Sequence, residues 1–335
     1  MLFDKFQTMA DFQAELEERQ VKPFGAVTSE ILSSTEGIVE GRRVILAGTN
    51  NYMGLSYHPR CIKAAQDAAE RWGTGTTGSR LANGSFAEHQ ALEDEIAAFY
   101  GVSNAIVFST GYAATMGMCA TLAGPGDVIL LDADSHASIY SGVKLSGAEV
   151  IRFKHSNPDD LAKRMRRLGD RASQALIIAE GIYSMLGDVA PLQEIAEIKR
   201  EYGGYLLVDE AHSMGVLGES GRGAAQAAGI ESDVDFIVGT FSKSLGSIGG
   251  FCVSPHRELE AIRFCITAYI FTASSSPSII ASTREALRII GVEPQRRSQL
   301  WDNANRLYQG LKSLGLAVGP TASPVVAVEM EDRSQ

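Results

Sequence analysis

Lys243 sits among small hydroxyl residues in "TFSKS", flanked by Thr240, Ser242 and Ser244. An isolated amine in such a setting can form a Schiff base with a carbonyl compound. The other reactive side chains recur at one kind of place, just after a short apolar run. Gly111 and Tyr112 follow "AIVFST", and His136 follows "DVILLD" within "ADSHAS". Ser184 follows "QALIIAEG", and Asp209 closes "GYLLVD" with His212 three residues on. Singly, each has a plainer reading. An acid ending a strand is often a helix cap. A lone histidine is more often structural, a loop lysine is usually solvated, and Gly111 can be an ordinary strand-to-helix turn. Together they offer an anion cradle, a carboxylate, two imidazoles, hydroxyls and one amine. That set suggests pyridoxal 5′-phosphate. The lysine takes the aldehyde, the carboxylate keeps the ring nitrogen protonated, and a helix N-terminus with hydroxyls takes the phosphate.

These residues need elements that bring them to one edge, and the apolar pattern supplies them. From about residue 90, short apolar strands alternate with helical segments: "HQALEDEIAAFYG", "GYAATMGMCATLA", "SHASIYSGVKLSG", "PDDLAKRMRRLG" and "LQEIAEIKREYG". The strands are "AIVFST", "DVILLD", "AEVIRFK", "QALIIAEG", "GYLLVDE", "DFIVGTFS" and "GGFCVS". Near-continuous apolar strands between helices predict an α/β fold: a mostly parallel seven-stranded sheet with helices on both faces. Ligands of such sheets bind at the carboxyl ends of the strands, where the reactive residues fall. The last two strands follow each other closely, so one pair is expected to be antiparallel. An exposed helix is expected over residues 1–20, a strand in "GRRVILAG", an amphipathic helix in "HPRCIKAAQDAAERW" and a long helix in "PSIIASTREALRIIG". "QLWDNANRLYQGLKSLG" and "VVAVEM" read as the start of a small α+β domain. The expected organisation is an N-terminal helix and strand segment (1–48), a large cofactor-binding domain (49–288) and the start of a small C-terminal domain (289–335).

Several function classes are disfavoured. "GTGTTG" has the spacing of a dinucleotide-binding loop, but a helical segment precedes it and more loop follows. Position 98, about 20 residues on, is alanine rather than an acid. A net charge of −10 argues against nucleic-acid or anionic-membrane partners. No apolar run is long enough to span a bilayer, and the acidic N-terminus is no signal peptide. The four cysteines lack C-x-x-C spacing, and the six histidines show no metal-binding pair. A cytoplasmic protein with reduced thiols and no metal is expected, either free or peripheral to the inner membrane face.

"SHASIY", "EGIYSMLGDVAPL", "VDEAHSMGVLGESGRG" and "GTFSKSLGSIGG" resemble the α-oxoamine synthases, fold-type I pyridoxal-phosphate enzymes. The resemblance runs from "NNYMGL" at residue 51 to "YIFTASSSPS" near residue 278. Within the family, "GTFSKSLGSIGGF", "DADSHASIY", "NYMG" and "YIFTAS" are most similar to the bacterial branch that uses L-serine and a palmitoyl-type thioester. The resemblance implies a fold-type I transferase and a decarboxylating Claisen condensation giving 3-ketodihydrosphingosine. Sister synthases that use glycine or alanine are the alternative. It implies that Lys243 binds the cofactor and then acts as base, that Asp209 pairs with the pyridine nitrogen, and that His212 bonds the ring hydroxyl with help from Ser184. His136 would stack on the ring, Gly111 and Tyr112 would cradle it, and Thr240 and Ser242 would bind phosphate. Thr272 would reach the phosphate of a partner subunit in a homodimer with shared sites.

The same resemblance places "GTGTTGSR" on the substrate side of the site. A flexible turn between two helices is the plainer reading. Ser79 and Asn50 are the expected substrate-side residues, although Asn50 stands where close relatives often carry an aromatic. The acyl carrier would be CoA or an acyl carrier protein. The family's small domain carries an arginine for the substrate carboxylate, and no counterpart is found before Gln335.

Overall fold

The structure is a computed structural model that describes residues 1–21 and 26–330. Helix α1 (Gln7–Glu18) buries none of its residues, as the sequence leads one to expect. An antiparallel meander follows, β1 (Thr28–Ile31), β2 (Glu36–Val39) and β3 (Arg42–Ile45). Only β3 is legible in the sequence, because β1 is short and wholly exposed and β2 is a four-residue run with no alternation of polar and apolar residues.

The main body holds α2 (Pro59–Trp72), α3 (Ala87–Tyr100), β4 (Asn104–Phe108), α4 (Gly111–Thr121), β5 (Val128–Asp132) and α5 (Ala137–Ser146). It continues with β6 (Glu149–Phe153), α6 (Pro158–Leu168), β7 (Leu176–Glu180), α7 (Leu192–Tyr202), β8 (Tyr205–Asp209), the short α8 (Ala224–Ala227), β9 (Phe236–Thr240) and β10 (Gly250–Ser254). The seven-stranded sheet has the order β4-β10-β9-β8-β7-β5-β6. Strand β10 is antiparallel to both neighbours, so two ladders run that way where the sequence suggested one. The remaining ladders are parallel.

Successive strand residues alternate between two cores, because side chains of a strand point to opposite faces. Ile106, Ile129, Ile178, Leu207 and Val238 pack on one face with Met118 of α4 and Ile139 of α5. Val107, Leu130, Ile177, Val208 and Ile237 pack on the other with Ile96, Leu161, Ile195 and Leu287. Both faces are therefore dry across the inner strands, whereas the edge strand β6 is largely exposed.

The chain leaves the sheet through α9 (Leu259–Ile262), α10 (Thr267–Ile270) and α11 (Pro277–Val292). A domain boundary drawn after residue 288 falls inside α11, which runs on to Val292. Helix α12 (Gln295–Ser313) begins four residues before the segment that looked helical, and β11 (Ala317–Val318) pairs antiparallel with β12 (Val328–Glu329). Residues 331–335 lie outside the described residues.

The sheet order fixes where a ligand can go. From β5 the chain steps outward to β6, then returns to β7 on the other side of β5. Such a switch point opens a crevice at the carboxyl edge. Glu180 and Asp209, in register at the ends of β7 and β8, stand beside it.

Candidate active site

A cavity of about 330 Å³ opens at the carboxyl ends of β7, β8 and β9, near the lower end of the usual range for small-molecule sites. Lys243, Asp209, His136, His212, Gly111, Tyr112, Thr240 and Ser242 all line it. Residues from four separate loops thus converge on one volume.

Asp209 forms one wall. It is buried, and its two oxygens accept neutral donors: Thr115 Oγ1 at 3.0 Å and the Ala211 N–H at 2.9 Å. Burial raises its pKa, with the charge of Lys243 opposing. A buried carboxylate with only neutral partners is a receptor for a cationic N–H.

Lys243 projects from the turn between β9 and β10. Phe241 and Leu245, buried on either side, anchor that turn, and the Gly246 N–H closes it on the Lys243 carbonyl at 2.9 Å. Burial lowers the Lys243 pKa, with Asp209 and Glu180 opposing.

The phosphate cradle is built from the start of α4. Thr110 caps that helix by accepting the Ala113 N–H at 3.0 Å. The N–H groups of Gly111 and Tyr112 make no bond among the described residues. A methyl group added at Gly111 would lie 2.5 Å from Thr240 Oγ1, so the backbone must be bare there. Thr240 Oγ1 is itself held, 2.8 Å from Ser242 Oγ and 3.0 Å from the Gly249 carbonyl to which it donates. Helix dipole, unpaired N–H groups and oriented hydroxyls together favour a phosphate.

The two imidazoles are oriented by neighbours. His136 caps α5, its Nδ1 accepting the Ser138 N–H at 3.2 Å, which leaves Nε2 to carry the proton of the neutral ring. His212 Nδ1 lies 2.8 Å from the Tyr52 hydroxyl, and burial lowers its pKa to about 3.

Three contributors were not singled out in the sequence. Glu180 lines the cavity and accepts the His136 N–H at 2.5 Å. It ends "LIIAE" as Asp209 ends "YLLVD", so the strand-end rule applied to it equally. Thr115 lies one turn beyond Gly111 on α4, and helical spacing could have found it. Tyr52 is 160 residues from His212, and no local pattern links them.

Four expected residues do not line the cavity of this chain. Asn50 is exposed, and its side-chain oxygen lies 3.4 Å from the Tyr52 hydroxyl, which makes its shorter bond to His212. Ser184 sits in a hairpin closed by the Tyr183 N–H on the Asp188 carbonyl. Ser79 spends its carbonyl on the Ala82 and Gly84 N–H groups. Thr272 follows α10, two residues before Ser274, which binds the glycine-rich loop at Thr76, Gly78 and Gly84. That loop is also held by a buried ion pair of Arg80 with Glu93. These contacts fasten the loop, and none of its residues lines the cavity of its own chain.

Pyridoxal phosphate fits these donors: an amine for its aldehyde, a buried acid for its ring nitrogen, a histidine for its hydroxyl and a bare helix start for its phosphate. No group of His, Cys, Asp and Glu suited to a metal ion occurs among the described residues.

A family model for aminotransferase class I and II matches residues 42–334. The chain is 57% identical over 334 residues to the serine palmitoyltransferase of Caulobacter vibrioides, covering 100% of this chain and 83% of the relative. A solved structure of Sphingomonas wittichii serine palmitoyltransferase matches with a TM-score of 0.95 at 47% identity, covering 100% of this chain and 84% of that one. The enzyme from S. paucimobilis, solved with a bound PLP–myriocin aldimine, matches with a TM-score of 0.96 at 44% identity, covering 99% and 87%. The chain belongs to the aminotransferase class I and II family, and within it to the α-oxoamine synthases that include the bacterial serine palmitoyltransferases.

Proposed function

We propose that this chain catalyses the decarboxylating Claisen condensation of L-serine with a long-chain acyl thioester of the palmitoyl-CoA type, giving 3-ketodihydrosphingosine and CO2. The observation that carries this reading is one cavity lined by Lys243, Asp209, His136 and the bare start of α4. The likeness to serine palmitoyltransferases supports the choice of substrates.

Bound pyridoxal phosphate supplies an aldehyde for the substrate amine and a cationic ring that draws electron density from Cα. Lys243 holds that aldehyde at rest. Its Nζ, when not engaged with the aldehyde, would be the base that moves the Cα proton. Burial lowers its pKa and so raises its neutral fraction. Asp209 holds the ring nitrogen and keeps it charged. His212, neutral and fixed by Tyr52, bonds the ring hydroxyl. His136 orients the bound serine from the cavity wall, and Gly111, Thr240 and Ser242 take the phosphate.

Thr272 and Ser79 belong to one fastened surface outside their own cavity, beside the exposed Phe264 and Phe271. This supports a homodimer in which that surface completes the partner's site. Asn50 is proposed as a substrate-side residue, and Ser184 as a helper of His212 at the ring hydroxyl. The cytoplasm is the proposed compartment, supported by four free cysteines of which three are buried. Among the described residues no helix is long and apolar enough to cross a membrane.

The test is incubation of the cofactor-loaded protein with L-serine and palmitoyl-CoA, followed by mass spectrometry. Appearance of 3-ketodihydrosphingosine supports the reading. A product formed from glycine or alanine and none from serine overturns it.

A further inference from the structure

His155 stands just past β6 with a carboxylate on each ring nitrogen. Nδ1 lies 2.8 Å from Asp132 Oδ1, and Nε2 lies 2.9 Å from Asp188 Oδ2. Asp134 approaches Nδ1 to 3.9 Å, and the Tyr183 ring packs edge-on with centroids 4.5 Å apart. A neutral imidazole has one N–H to give, whereas two ionised carboxylates require two. The geometry therefore calls for the imidazolium form. Among the described residues no lysine or arginine pairs with Asp132 or Asp188.

The two acids belong to different loops. Asp132 ends β5 and is fully buried. Its oxygens also accept the N–H groups of Asp134 and Ser156, each at 2.9 Å, shaping the turn that delivers His136. Asp188 closes the 183–188 hairpin, its carbonyl accepting the Tyr183 N–H at 2.9 Å. Its Oδ2 also accepts from Ser156 Oγ at 3.2 Å, while its Oδ1 is buried without a partner. Asp188 thus depends on His155 for its charged partner.

We propose that His155 is a positioning residue: bonded to both carboxylates, it locks the His136 turn to the 183–188 hairpin, and condensation requires that lock. This rests on the condensation reading above. His155 touches neither the cavity nor the cofactor site, so its action goes through His136 and the hairpin.

The sign of the pH effect follows. Burial pulls the His155 pKa down, but Asp132 and Asp188 outweigh it and the net direction is up. The lock is complete below the ordinary histidine value of about 6.5. It is lost as pH rises through the raised value.

The test measures kcat and KM for serine against pH in the holoenzyme, alongside histidine NMR titration of 13C-labelled protein. The wild type is expected to lose kcat on an alkaline limb that coincides with the His155 titration, with KM for serine changing less. Asp188→Asn removes one carboxylate and should move both limb and titration downward by about half a pH unit or more. His155→Gln should lack the limb and run at the low plateau throughout. A limb that persists in His155→Gln, or stays in place in Asp188→Asn, overturns the proposal. So does a His155 titration at or below the ordinary value. Should His155→Gln not fold, Asp188→Asn and the NMR titration decide. Should wild type make no lipid product, the reading of function fails separately. The spectral response of the bound cofactor to serine, followed against pH, then replaces turnover and is judged by the same outcomes.

Discussion

Tyr52 and His212, 160 residues apart, share a bond of 2.8 Å between the phenol oxygen and Nδ1. Burial lowers the His212 pKa to about 3 and raises that of Tyr52, so both stay neutral at ordinary pH. A neutral histidine that accepts at Nδ1 carries its proton on Nε2 and can donate there. Tyr52 therefore selects which nitrogen of His212 can serve the cofactor. Tyr52→Phe is expected to weaken pyridoxal phosphate binding by about 0.5–1.5 kcal/mol, roughly a 2–10-fold rise in Kd. Fluorescence titration of the apoprotein measures it. An unchanged Kd would leave Tyr52 a packing residue.

The start of α4 presses on the end of β9. A methyl at Gly111 would sit 2.5 Å from Thr240 Oγ1, and one at Gly250 would sit 2.6 Å from Gly111 Cα. Thr240 cannot swing aside without giving up its bonds to Ser242 and Gly249. Gly111→Ala is expected to displace the phosphate cradle and raise the cofactor Kd roughly tenfold or more. Serine KM at saturating cofactor should change much less. A larger effect on serine than on cofactor would contradict the cradle.

The large elements could be read from the sequence because they are buried on both faces. Runs such as "VILLD" and "YLLVD" admit little but an interior strand, and His136, which follows the first, and Asp209, which ends the second, line one cavity. What could not be read depends on contacts across long separations. Tyr52 reaches His212 and Ser274 reaches Gly78 through folded geometry alone, and no local period encodes either. The glycine-rich loop reads as a substrate loop by likeness alone. Its position is held by Arg80 pairing with Glu93 of α3 and by Ser274, and its residues do not line the cavity of its own chain. Strand β1 escaped because its exposed residues carry no apolar period, and β2 because Glu36–Val39 is too short to show one.

Lys243 shares the cavity with Asp209, and among the described residues no hydrogen bond ties up its amine, so the amine can hold an aldehyde. Lys243→Ala is expected to abolish condensation while leaving cofactor bound non-covalently. Borohydride reduction followed by peptide mass spectrometry reads this directly. The wild type should gain a pyridoxyl group on the peptide carrying Lys243, and the variant should gain none. A modified peptide elsewhere in the wild type would reassign the amine.

Glu180 and Asp209 end neighbouring strands in register, and both are buried. Burial and the charge of Asp209 push the Glu180 pKa up to about 8. A carboxyl raised in the folded state binds its proton more tightly there than in the unfolded chain. Stability then falls as pH rises from the ordinary value of 4.5 to about 8, and levels beyond. Glu180→Gln keeps an oxygen to accept the His136 N–H, the bond that Glu180 makes at 2.5 Å, and has no proton to lose. The apoprotein of this variant should therefore gain stability over the wild type across that interval, by at most about 1.4 kcal/mol per pH unit. Denaturant melts at several pH values measure the difference. Parallel curves for the two proteins would mean that Glu180 is ionised throughout, and that its proton is no part of how the site holds His136.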